Sequence, residues 1–112
     1  MNKREERVAK YTAELEKLGM TVDAGLLDRC VAACGPSIYR DDAETVAASD
    51  PEELARVRRN FVEKHLGVSD QAKADAGIDA VIEQYGRSNR SKYRAVIYYL
   101  LSRHFGSGPA AK

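Results

Sequence analysis

Seven consecutive uncharged residues, Ala95-Val96-Ile97-Tyr98-Tyr99-Leu100-Leu101, constrain this chain more than any other stretch. A surface helix needs only one apolar stripe to pack on a core. At about 100° per residue, Tyr93, Val96, Ile97, Leu100 and Leu101 form one side, Tyr98 and Phe105 fall on another, and Tyr99 on a third. A helix apolar most of the way round is enclosed by its neighbours, or uses one side against a partner. Val, Ile and Tyr also favour strands. Helix is preferred because Lys92 to Phe105 is long for a strand. Gly106 also stands where a helix C-terminus takes a left-handed residue, and Arg103 and His104 suit the negative end of the dipole. The expected fold is all-α: a compact bundle of five or six helices around this central apolar C-terminal helix.

Start and stop signals divide the rest. Val8, Tyr11, Leu15 and Leu18 recur at helical spacing, and Gly19 closes that helix. Asp23 opens a second helix, which Gly35-Pro36 ends at Cys34. Asp41 or Asp42 is expected to cap a short helix over 43–48. Asp50-Pro51-Glu52-Glu53 is a helix start with a capping-box pattern; that helix runs to Leu66 with Leu54, Val57, Phe61 and Leu66 inward. Ser69 or Asp70 begins a segment reaching Tyr85, with Gly77 as a candidate break. Residues 1–106 read as one helical domain and 107–112 as a disordered tail.

Charged residues are 31% and hydrophobic ones 44% of the chain, the balance of a globular domain. The net charge is +1, but acids concentrate at Asp41, Asp42, Glu44, Asp50, Glu52 and Glu53, and none follows Glu83. That asymmetry suits self-association or an anionic partner. No window approaches the roughly 20 apolar residues of a membrane span. The charged start shows no secretory pattern. With two cysteines, this leads to an expected cytoplasmic protein and no membrane partner.

The densest positive cluster precedes the apolar run: Tyr85-Gly86-Arg87-Ser88-Asn89-Arg90-Ser91-Lys92-Tyr93-Arg94. Ser88, Asn89 or Ser91 would cap the following helix. Arg87, Ser88, Asn89, Arg90, Lys92 and Arg94 would then surround a helix N-terminus whose free N–H groups receive an anion. The competing reading is a capped, solvated turn. Interleaved tyrosines and cations also admit nucleic acid, with cations on phosphates and Tyr85 or Tyr93 stacked on a base. The near-neutral charge balance argues against that. Tyr98 or Tyr99, if exposed, would serve a homodimer.

Other chemistry finds less support. Cys30 and Cys34 share an apolar helical face, where Cys behaves as a small hydrophobe. With His65 and His104 they match no zinc spacing, so no metal, cofactor or catalytic residue is assigned. Both histidines stand in last turns, where a cation is favourable. No Gly-rich phosphate loop occurs.

The blocks Gly35-Pro36-Ser37-Ile38-Tyr39, Thr45-Val46-Ala47, Ser49-Asp50, Asn60-Phe61, Leu66-Gly67 and Tyr85-Gly86-Arg87-Ser88-Asn89-Arg90 resemble a bacterial family, domain of unknown function 2853. Lys92-Tyr93-Arg94-Ala95-Val96 and Tyr98-Tyr99-Leu100-Leu101 extend the resemblance, which covers Val8 to Phe105. It implies a small helical cytoplasmic protein and transfers no catalytic residue. The basic turn looks like part of the family pattern; the cysteine pair does not. The expected role is a non-enzymatic binding or interaction domain, with an anionic ligand, nucleic acid or acidic protein segment as partner and a homo-oligomeric structural protein as alternative.

Overall fold

The computed structural model describes residues 2–109. Its elements are α1 (Lys3–Lys17), α2 (Ala24–Cys34) with a 3-10 turn (Gly35–Tyr39), α3 (Pro51–Val57), a π-helical segment (Arg58–Glu63), α4 (Lys64–Leu66), α5 (Gln71–Tyr85) and α6 (Arg94–Phe105). The pieces from α3 to α4 form one unbroken rod over 51–66, so the described residues make five helical rods. The all-α expectation holds.

Four caps set the starts. Side chains of Asn2, Asp23, Asp50 and Asp70 accept from the backbone N–H groups of Glu5, Leu26, Glu52 and Lys73 at 2.8–3.1 Å. Each such cap contributes about 1 kcal/mol. Glu53 does not close a capping box; its carboxylate turns inward, as described below. Gly106 ends α6 in the left-handed region, at φ 68°.

α6 is the central rod. Ala95 through Ser102 are all buried, and the helix packs on α2, α5 and α1. Tyr98 and Tyr99 are 4% and 0% exposed, which corrects their reading as a dimer surface. The Tyr98 ring stacks on Phe61 with centroids 3.9 Å apart. The Tyr99 hydroxyl accepts from the Asp23 N–H at 2.9 Å and donates to the Thr21 carbonyl. A tyrosine whose hydroxyl finds a partner packs as core.

Residues 43–48 form no helix. A turn over 41–43 leads into a short extended stretch at 45–47, with an antiparallel bridge from Thr45 to Tyr93. The Val46 N–H donates to the Lys92 carbonyl at 2.8 Å, and the Arg94 N–H to the Glu44 carbonyl at 2.7 Å. Glu44 and Val46, on either side of the bridged Thr45, are both buried. A short helix with one large apolar residue had no comparable burial to offer.

α5 continues unbroken through Gly77. A Cβ built there would lie 2.3 Å from Phe105 Cζ, so this glycine lets α5 and α6 approach closely. α6 itself begins at Arg94 with Tyr93 as an N-cap lacking a side-chain bond. Ser88, Asn89 and Ser91 do not cap it; Asn89 Oδ1 instead accepts from the Ser91 N–H at 3.0 Å. Beyond α6, Ser107 N–H returns to the Ser102 carbonyl at 3.0 Å, and the Pro109 carbonyl accepts from Arg29 Nε at 3.0 Å. Residues 110–112 of the expected tail lie outside the described residues.

Candidate functional site

The basic turn is built around a buried lysine. Gly86, at φ 106°, ends α5. Lys92 is only 5% exposed, and its ammonium donates to the carbonyls of Arg87, at 2.9 Å, and Asn89. Tyr85 braces the same turn from α5: its hydroxyl donates to the Ser91 carbonyl and accepts from the Tyr93 N–H, both at 3.2 Å. A compact ammonium offering three donors suits such a knot of carbonyls.

The turn's second basic anchor meets an acid. Arg94 donates through Nε to the Ala43 carbonyl at 3.0 Å and through Nη2 to Glu53. The Glu53 carboxylate also takes Arg56 Nε and Nη2 at 3.1 and 2.9 Å. Burial raises the Glu53 pKa, but bonds from Arg94 and Arg56 and their charges outweigh it, so the carboxyl sits below its ordinary range. Glu44 repeats the pattern. Its carboxylate accepts from the Tyr11 hydroxyl at 2.6 Å and from Lys10 Nζ at 3.0 Å, with Arg7 Nε at 4.0 Å. Burial again opposes ionisation, and the Tyr11 and Lys10 bonds, with the Lys10 and Arg7 charges, hold the pKa low.

The anions at the start of α6 are therefore the chain's own. Ala95 and Val96, in the first turn, are fully buried, so their N–H groups face no solvent. Of the six residues in the expected anion set, Lys92 and Arg94 point inward. Arg87 is half exposed and pairs with Asp79 and Glu83 on α5. Ser88 and Arg90 are exposed, and Asn89 is half-buried. Arg90 makes no ion pair among the described residues. The acid-rich middle and the acid-free end, separate in sequence, meet at Arg94–Glu53.

The tyrosines offered for base stacking are occupied. Tyr85 is 3% exposed, and Lys10 Nζ lies 4.3 Å from the centroid of the Tyr93 ring. A nucleic acid at this turn would meet cations without an open aromatic face.

The thiols are poorly suited to nucleophilic work. Cys30 lies 3.6 Å from Ser102 Oγ, and burial pushes its pKa up to about 11. Burial pushes the Cys34 thiol higher still, against the Arg94 charge. Only the thiolate attacks. Among the described residues no group of three or more His, Cys, Asp or Glu side chains is placed to hold a metal ion. No described helix is long and apolar enough to cross a membrane.

Two clefts lie outside the turn, the first reaching it at Asp79. One, of about 320 Å³, opens between α3 and α5 over Leu54 and Ile78, with Arg58, Asp75 and Asp79 along it. Arg58 Nη1 meets Asp75 at 3.2 Å, and its Nε lies 3.3 Å from Glu63 without hydrogen-bond alignment. The other, of about 390 Å³, lies at the end of α6 beside Arg29 and Arg103.

Sequence reasoning missed the two acids that matter most here. Glu44 was one of a run of acids and Glu53 a capping-box residue. The available signal for Glu44 was its alternation with Val46 next to a β-branched Thr45.

Four helical rods enclosing a fifth, apolar one, with a turn knotted on a lysine, define a small all-α domain. The chain belongs to the family described as Protein of unknown function (DUF2853), which matches residues 10–108. No curated protein matches it.

Proposed function

We propose that this is a non-enzymatic interaction domain that meets an acidic protein segment through the outer face of the 87–91 turn. Arg90 carries the reading. It is exposed, free of ion pairs among the described residues, and mounted on a turn held from beneath by Lys92 and Tyr85. A donor on a fixed loop loses less freedom on binding than one on a mobile loop. Ser88 and Asn89 supply polar groups beside it, and Arg87 joins by exchanging Asp79 and Glu83 for the partner's carboxylates. Lys92 and Arg94 belong to the anion set as internal supports. An acidic segment is favoured over nucleic acid because the Tyr85 and Tyr93 rings are covered. Two unpaired thiols fit a reducing compartment, the cytoplasm.

Fluorescence anisotropy with a labelled oligo-glutamate and with a single-stranded oligonucleotide tests this. The expected result is oligo-glutamate binding that weakens with salt and falls several-fold in Arg90→Ala. Binding unchanged in Arg90→Ala, or no binding, overturns the reading. Preference for the oligonucleotide would replace the acidic segment with a nucleic acid.

A further inference from the structure

The end of α6 opposite the basic turn holds a second pocket with one sign of charge. Arg29 and Leu26 come from α2, Ser102 and Arg103 from α6, and the loop 106–108 forms one rim of an open cleft of about 390 Å³. No acid lines it. Across the described residues, arginines partly withdrawn from solvent follow a rule: Arg4 meets Asp28, Arg7 meets Glu44, Arg58 meets Glu63 and Asp75, and Arg94 meets Glu53. Arg29 is the exception. It is half-buried, and its only bond among the described residues is from Nε to the Pro109 carbonyl. Arg103, exposed on the same pocket, pairs with no carboxylate among the described residues either.

A guanidinium drawn from water without a counter-charge is unfavourable, and a second one facing the same space adds repulsion. A guanidinium has five N–H donors, so one bond leaves Arg29 with four. The negative end of the α6 dipole offsets part of this charge. Two of its last four carbonyls are already occupied: Ser102 accepts from Ser107 N–H and Arg103 from Gly106 N–H. The loop is shaped to lie close. A Cβ on Gly108 would come within 2.6 Å of Leu26 Cδ1, so glycine there brings the chain down as a wall.

We propose that this pocket is a binding site for a small organic anion, a phosphate monoester or a carboxylate, gripped between Arg29 and Arg103. Guanidinium groups match both anions in bidentate geometry. The volume exceeds that of a bare oxyanion, and Leu26 provides an apolar side for the body that carries it. The site is separate from the 87–91 turn and does not depend on it.

The test is thermal unfolding of the full chain with inorganic phosphate and with acetate, at ionic strength held constant with chloride. Wild type should rise in midpoint with phosphate, with acetate or with both; which of them works names the anion. The rise should vanish in Arg29→Gln and in Arg103→Gln and persist in Arg90→Ala. Arg103 is exposed, so its variant keeps the test sound if Arg29→Gln unfolds. A rise that survives in Arg103→Gln, or no rise with either anion in wild type, overturns the site. Loss in Arg90→Ala alone would move the anion to the basic turn and overturn it as well.

Discussion

At the start of α6, Arg94 and Lys92 point into the protein and meet Glu53 and backbone carbonyls. At its end, Arg29 and Arg103 share a pocket and meet no carboxylate among the described residues. The first region looks like a site in sequence, because its cations fall within one short stretch. The second does not, because its two arginines are 74 positions apart (103 − 29). Density of charge along a chain thus says little about availability. What matters is whether the fold delivers a counter-charge, and among the described residues it does so at one end of the helix only.

Breaking the paired end should cost the most. Arg94→Ala leaves Glu53 buried with Arg56 alone and should lower stability by about 3 kcal/mol in urea denaturation. A loss under about 0.5 kcal/mol would mean that the pair is as exposed as an ordinary surface bridge, and the contrast would collapse. Glu44→Gln removes the charge that Tyr11 and Lys10 serve and should cost about 2 kcal/mol. It also has a pH signature. Glu44 and Glu53 have folded pKa values below the ordinary 4.5, so the unfolded chain binds more protons as pH falls. Stability is therefore full above about pH 4.5 and lost below it, progressively through the depressed folded values. Glu44→Gln should flatten that acid limb; an unchanged limb would remove Glu44 from the account.

Gly77→Ala sharpens the contrast near the other end, where α5 and α6 touch without charge. Phe105 would have to move, at about 1.5 kcal/mol, and Phe105→Ala should relieve the clash in a double-mutant cycle. A stabilised Gly77→Ala single variant would show that the helix gains more from alanine than the contact loses. Lys92→Met leaves two carbonyls short of a donor and should cost about 1 kcal/mol. Faster amide exchange in 86–92 would locate the loss in the turn, and unchanged exchange would count against the knot. The smallest effect is expected from Arg87→Ala. Its pairs with Asp79 and Glu83 are solvent-exposed, so the denaturation midpoint should not move measurably.

Much of the architecture could be read in advance where one local rule was decisive. Asp23 and Asp50 cap, Gly106 terminates, and the apolar run from Ala95 is enclosed. Errors arose where tertiary contacts chose between local options. Asp41 and Asp42 suggested a cap, yet 43–48 pairs with Tyr93 because that buries Glu44 and Val46 together. Gly77 suggested a break, yet it serves a neighbouring ring. Tyr98 and Tyr99 lie on separate helical faces, and only the positions of Phe61, Asp23 and Thr21 show that both faces are covered. In the candidate site, the chemical type of each cation was legible but its partner was not. Glu53 and Arg94 are 41 positions apart, and no spacing rule joins them.

A π turn closes its bond over five residues instead of four, so Arg58–Glu63 is in effect an α-helix carrying one surplus amino acid. The surplus lets Phe61 and Val62, adjacent in sequence, both sit at 0% exposure. It also makes chain length between 58 and 63 a determinant of which residues form the core. Removing the exposed Asn60 would restore ordinary pitch, so Phe61 and Val62 could no longer both face inward, while the turn beyond them would keep its register. Leu66 would stay in the interior, since the deletion takes out only the surplus. A single-codon deletion in the regular helix at 51–57 has no surplus to absorb it and would turn everything after it by about 100°, whereas one in the loop at 47–49 would leave every helical face as it is.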